Sequence, residues 1–171
     1  MSLRGRNNDF ELDRLFVDQE AYQALLKQLN DLNVKSIISQ FSGGGDSGQI
    51  DSITFYDIDI DTFQGTYAER QTHVLPLHDT LVASKEVLRP REWESKGERT
   101  ITLRQLIDEL TGNALDISGL DWYNNDGGQG EMTFKVLPDE LVIELEVGIN
   151  YMETEDYGFR FQNFSGAGEE E

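Results

Sequence analysis

Residues 131–147 alternate in polarity. Met132, Phe134 and Val136 are apolar where Glu131, Thr133 and Lys135 are polar, and beyond Pro138 and Asp139 the apolar Leu141, Ile143, Leu145 and Val147 interleave with Val142, Glu144 and Glu146. A period of two sends successive side chains to opposite sides of a strand. The run therefore predicts two antiparallel strands around a Pro-Asp turn, with one dry face and one wet face. A third strand is expected through Tyr151 or from about Tyr157, using Phe159 and Phe161. The dry face has to be covered, and a chain of 171 residues normally builds one domain with which to cover it.

Two helices supply the cover. Ala21, Leu25, Leu29 and Leu32, flanked by Tyr22 and Leu26, form an apolar stripe at helical spacing, which predicts a helix over 18–32. Asp18 suits its N-cap, Val17 and Tyr22 suit a hydrophobic staple, and Asn33 suits the left-handed position at its end. A second helix is predicted over 103–110 from Leu103, Leu106, Ile107 and Leu110. Thr102 and Gln105 form a capping box, Ile101 and Leu106 a staple, and Gly112 a terminating turn. Between the helices, Val34–Phe41 and Ile50–Ile60 are β-prone runs around a Gly/Asp/Ser cluster, the pattern of a hairpin with a generous loop. A short strand is expected over 73–77 and a helix over 79–88. Phe10, Leu12, Leu15 and Phe16 are the residues that would dock the N-terminal segment on the core. The predicted class is α+β, a single antiparallel sheet with helices packed on one face. One domain spans 1–164, and 165–171 (SGAGEEE) form a disordered acidic tail.

Composition excludes several function classes. The chain has 33 acidic against 14 basic side chains, a formal net charge of -19. Such a surface repels phosphate, so direct nucleic-acid binding and docking on an anionic membrane are not expected, whereas a basic partner protein is. The basic residues that do exist cluster, with Lys85, Arg89, Arg91, Lys96, Arg99 and Arg104 forming a locally basic island. With no Cys, thiolate zinc sites, iron–sulfur clusters, disulfide scaffolds and Cys nucleophiles are excluded. The first ten residues, MSLRGRNNDF, hold no apolar signal region and no apolar run is long enough to span a bilayer, so a cytoplasmic location is expected.

Two glycine-rich segments stand out. The first is Gly43-Gly44-Gly45-Asp46-Ser47-Gly48. A phosphate-cradling loop would run into a helix and usually carry a Lys, but here a strand follows and no Gly-Lys-Ser/Thr exists. Its Gly-Asp-Ser-Gly has the look of a serine-protease nucleophile segment, yet no base or oxyanion site can be named. The second runs from Asp121 to Glu131, where Asn, Asp and Gly suit tight turns and Trp122 and Tyr123 offer rigid contact area. Each segment abuts a strand, so both can lie at one end of the sheet. Asp46, Ser47, Trp122, Tyr123, Asn124, Asn125, Asp126 and Glu131 are therefore the candidate binding residues. No catalytic residue, metal ligand or cofactor is assigned. Asp57, Asp59 and Asp61 are expected on one strand face, spaced about 7 Å apart, as a solvated row without the loop a calcium site requires. His73 and His78 do not share a face at either helical or strand spacing, and neither is expected to ligate. Glu140, Glu144, Glu146, Glu153, Glu155 and Asp156 make the meander acidic, and rows of carboxylates can imitate phosphates toward a nucleic-acid-handling protein.

Asp46-Ser47-Gly48-Gln49-Ile50 together with Trp122-x-Asn124-Asn125-Asp126-Gly127-x-x-Gly130-Glu131 resemble an uncharacterised family of small phage and bacterial proteins. That family pairs a G-x-G-D-S-G loop near the first strand with a W-x-N-N-x-G-x-x-G turn before the last strands. The resemblance implies a mobile-element or accessory context and no particular chemistry, and it points to the same two segments. The functional expectation is a small acidic, non-enzymatic protein-interaction domain, one version of which inhibits a basic nucleic-acid-handling partner. The alternatives are a small-ligand-binding or hydrolytic protein using the two loops, with Asp46, Asp126 and Glu131 as acid/base groups, or an oligomeric assembly component.

Overall fold

A computed structural model describes residues 8–10, 12, 15–16, 19–44, 47–82, 101–120, 127–149 and 155–162. In chain order its elements are β1 (Asn8–Phe10), α1 (Gln19–Asp31), β2 (Ser36–Gly44), β3 (Ser47–Tyr56), α2 (Tyr67–Gln71), β4 (Val74–Leu75), β5 (Leu81–Val82), β6 (Ile101–Thr102), α3 (Leu103–Ser118), β7 (Gly128–Val136), β8 (Leu141–Ile149) and β9 (Glu155–Phe161). The class is α+β. Strands β9-β8-β7-β2-β3-β4 form an antiparallel sheet, and β1 joins its outer edge parallel to β9. The β1–β9 pair spans nearly the whole chain with no tight turn between them, so nothing local dictates its direction. β5 and β6 pair separately as a two-stranded ribbon.

The alternation of residues 131–147 sets the register. Met132 faces Leu145, Phe134 faces Ile143 and Val136 faces Leu141, while β9 places Phe159 on Leu145 and Phe161 on Ile143. Ile37, Phe41, Ile53 and Phe55 continue this dry face across β2 and β3, and all these side chains are buried. Helix α1 lies against β7, and α3 against β2 and β3. They contribute Tyr22, Leu25, Leu26 and Leu29, and Leu103, Leu106, Ile107, Leu110, Ala114 and Leu115. Each leucine or isoleucine among them, taken fully out of water, contributes about 1.5–3 kcal/mol. Leu12, Leu15 and Phe16 are fully buried, as their apolar character predicts, and Phe16 meets Tyr22 edge-to-face at 5.4 Å.

A few polar contacts fix the helices on the sheet. The Leu141 N–H donates to the Tyr22 hydroxyl oxygen (2.8 Å), and Asn30 Nδ2 donates to the Leu137 carbonyl (3.1 Å), tying α1 to the β7–β8 turn. Within the α3–β2 interface the hydroxyls of Thr111 and Ser39, both fully buried, lie 2.9 Å apart, and Thr111 Oγ1 also reaches the Ile107 carbonyl (2.8 Å). Buried hydroxyls without partners are costly, so this pair satisfies itself and sets how α3 sits along β2.

Several local expectations change. α3 does not stop at Gly112. It runs to Ser118 and ends in Gly119 at φ 72°, because Thr111, Ala114 and Leu115 prolong the buried stripe past the glycine. Its start is as predicted, with Thr102 and Gln105 forming a capping box. Asn33 takes the left-handed position after α1 (φ 66°), whereas Val17 and Asp18 lie outside the described residues. The helix expected over 79–88 is not what forms at its start. Leu81 and Val82 pair with Thr102 and Ile101, and the Leu103 N–H donates to the Thr80 carbonyl (2.7 Å), so long-range pairing overrides the local capping signal there. Residues 83–100 and 163–171, with the basic island up to Arg99 and the proposed acidic tail, lie outside the described residues.

The first hairpin is also tighter than expected, since β2 and β3 extend into the glycine cluster and only two residues separate them. β3 stops at Tyr56, so Asp57, Asp59 and Asp61 do not form a strand row. Asp59 Oδ1 accepts from the Asp61 N–H (3.0 Å) in an Asx turn that bends the chain away.

Candidate functional site

With the long helices on one face, the other face presents the alternate side chains. Across β2, β7, β8 and β9 the register lines up Gln40, Glu131, Glu146 and Gly158 in one row, and Ser42, Gln129, Gly148 and Asp156 in the next. Gly148 has no side chain to fill the twisted surface, and there lies a groove of about 570 Å³, walled by Gln40, Asp51, Glu131, Glu146 and Asp156. Asp51 is brought to it by a bulge. Gln40 faces Ser52 and Phe41 faces Ile50, so Asp51 is the additional residue of β3. A bulge increases local twist and re-aims a side chain. Asp51 also accepts from Gln49 Nε2 (2.9 Å).

The opposite end of this face is closed. The chain after β3 folds back so that the Ile60 N–H donates to Ser36 Oγ (3.2 Å) and Asp61 pairs with Lys135. That ion pair, first of all, holds the Lys135 ammonium above its ordinary value. Arg70 of α2 stacks between Tyr56 (5.6 Å) and Tyr67 (5.4 Å), and His73 Nδ1 bonds Asp57 Oδ1 (2.9 Å). His78 Nε2 bonds the Ile53 carbonyl. Both histidines and the Asp57–Asp61 carboxylates thus have structural work at that end.

Electrostatically the two ends differ. Glu144 is neutralised by Arg160 Nη2 (2.7 Å), as Asp61 is by Lys135. In the groove, Glu131 and Glu146 stand directly opposite each other, and among the described residues no cation forms an ion pair with either of them or with Asp156. Like charges directly opposed across a ladder repel. The Glu146 carboxyl is accordingly raised above the ordinary glutamate value, first by burial and then by the negative charges of Glu131, Glu144 and Asp156.

The two glycine-rich segments meet at the groove's end of the sheet. Gly43 pairs with Gly48 on one side and Gly128 on the other. Gly127 sits at φ 75°, and a Cβ there would overlap the Gly43 carbonyl; a Cβ on Gly130 would overlap the Glu146 carbonyl. Side chains are excluded at both positions by the closeness of the backbones.

Of the candidate residues, Glu131 lines the groove, and Ser47 opens β3 paired with Gly44 at the same end. Asp46, Trp122, Tyr123, Asn124, Asn125 and Asp126 lie outside the described residues. The residues that flank them, Gly44 and Ser47 on one side and Gly127 on the other, are brought together. Gln40, Ser42, Asp51 and Gln129 were not singled out from sequence. The alternation of Gln40 and Ser42 with the buried Ser39 and Phe41 was the signal that could have found two of them.

A family model matches residues 17–161, and its description is a family of unknown function, DUF6878. The chain belongs to that family. The span common to DUF6878 takes in every element from α1 to β9, and hence all of the groove, leaving only β1 outside. No curated protein and no solved structure matches the chain. Among the described residues of this DUF6878 member, no group of three or more His, Asp or Glu side chains is arranged to hold a metal ion, and no helix is long and apolar enough to cross a membrane.

Proposed function

We propose that this DUF6878 protein is a non-enzymatic interaction domain that takes a basic partner protein on the open face of its sheet. The observation that carries this reading is the groove at the glycine end, where Glu131, Glu146 and Asp156 line one surface and form no ion pair among the described residues. Keeping like charges opposed across neighbouring strands costs stability, and a cationic side chain placed between them relieves that cost. The chain's net charge of -19 adds long-range attraction for the same class of partner. Proteins that handle nucleic acids carry such basic surfaces, and occupying one of them would make this protein an inhibitor.

Calorimetry with an oligo-arginine peptide tests the reading. Binding should weaken as salt rises, and Glu131→Gln with Glu146→Gln should weaken it by about tenfold, the scale of a lost charge-assisted contact. Glu20→Gln with Asp31→Asn removes the same charge from exposed positions of α1 and should leave affinity nearly unchanged. Equal losses in the two double variants would mean that net charge alone attracts the peptide, and the groove would have no role.

A further inference from the structure

Among the described residues, the outer side of β3 is an open sheet edge over its first half. β4 pairs only with Phe55 and Tyr56, and His78 takes the Ile53 carbonyl. From Ser47 to Ser52 no described strand lies on the side of β3 away from β2, and Gly48, Gln49 and Asp51 are exposed. Unpaired backbone N–H and C=O groups along such an edge are a template for another strand.

We infer that an extended segment of the basic partner adds to the sheet as a strand along β3, with Lys or Arg at alternate positions. This rests on the function proposed above and specifies how the partner is held. The chemistry of the occupant follows from the two faces of β3. On the open face an added strand's side chains come beside Asp51, which belongs to the groove wall, and that neighbour selects cations. On the other face they come beside the half-buried Ile50, and that neighbour selects aliphatic side chains. The expected partner motif is therefore Arg or Lys alternating with Val or Ile. A second copy of this chain is disfavoured at the same edge, because pairing two β3 strands would bring two Asp51 carboxylates and two bodies of charge -19 together.

The test uses the full chain and a peptide alternating arginine with valine, in three forms: unmodified, N-methylated at the arginines, and N-methylated at the valines. All three have the same charge and side chains. In an added strand one set of N–H groups bonds to β3 and the other faces solvent, so the two methylated forms should differ in affinity by about tenfold or more. Bound unmodified peptide should also slow hydrogen exchange at Gly48, Gln49, Ile50, Asp51 and Ser52. If both methylated peptides bind as well as the parent, strand addition is overturned while recognition by the acidic groove stands. Failure of the parent peptide itself to bind overturns both. Protection of β3 in the absence of peptide, together with a concentration-dependent dimer in light scattering, would show that the edge belongs to a second copy and overturn the inference.

Discussion

Replacing glycines one at a time measures whether the two glycine-rich segments meet in solution. Three sites separate the contributing effects. Gly44 has open space around a Cβ and no left-handed backbone, so Gly44→Ala should gain about 0.4–1 kcal/mol by restricting the unfolded chain. Gly119, the C-cap of α3, has open space but φ 72°, and Gly119→Ala should lose about 1–2 kcal/mol from backbone strain alone. Gly127 combines φ 75° with overlap of the Gly43 carbonyl, a neighbour that cannot rotate aside. Overpacking of this kind adds about 1–3 kcal/mol to the strain, so Gly127→Ala should lose about 2–5 kcal/mol in all. Urea denaturation reads these differences. With a slope of about 1–3 kcal/mol per molar, Gly127→Ala should lower the midpoint by on the order of 1–2 M at unchanged slope. A Gly127→Ala variant no less stable than Gly119→Ala would mean that Gly127 does not rest on Gly43, and the convergence of the segments would be refuted.

Other substitutions test separate parts of the fold. Thr111→Val leaves the buried Ser39 hydroxyl without its partner and should cost about 1–3 kcal/mol by urea denaturation; adding Ser39→Ala should recover part of that loss. Thr102→Ala removes the cap that accepts the Gln105 N–H and should cost about 1 kcal/mol, seen as a lower melting temperature. Glu146→Gln should act through pH. Because the folded-state value for Glu146 is raised, the native protein holds this proton more tightly than the unfolded chain, and stability falls as pH climbs from the ordinary glutamate value of about 4.3 through the raised one. The variant should therefore be more stable than the parent at neutral pH, by about 0.5 kcal/mol given solvent screening, and equal to it below about pH 4. A parent and variant that keep the same separation at acid and neutral pH would refute the repulsion.

The parts of the fold legible in the sequence were those with enough periods to count. The β7–β8 pair shows alternation over many residues, and α1 shows a stripe from Tyr22 to Leu29, so both were readable. β1 spans three residues, too few for any period, and its partner β9 lies at the far end of the chain. Gly112 looked like a helix stop because a glycine after an apolar stripe usually is one, and only the continuing pattern through Ala114 and Leu115 shows otherwise. Asp57, Asp59 and Asp61 fit a strand by spacing, but aspartate also bonds its own backbone, and that chemistry prevailed at Asp59. In the groove, Glu131 and the acidic character of the meander were readable. The apposition of Glu131 with Glu146 and the turning of Asp51 depend on register and on a bulge, which no single strand encodes.

A basic partner is received on the face of the sheet turned away from α1 and α3, at its glycine end. Titrating isotope-labelled protein with the arginine–valine peptide and following backbone amide shifts tests it directly. Progressive shifts should concentrate on the β3 edge at Gly48, Gln49 and Asp51 and on the groove residues Gln40, Ser42, Gln129, Glu131, Glu146 and Gly148, with α1 and α3 unmoved. Shifts centred on the exposed sides of α1 and α3, with the groove residues still, would contradict it.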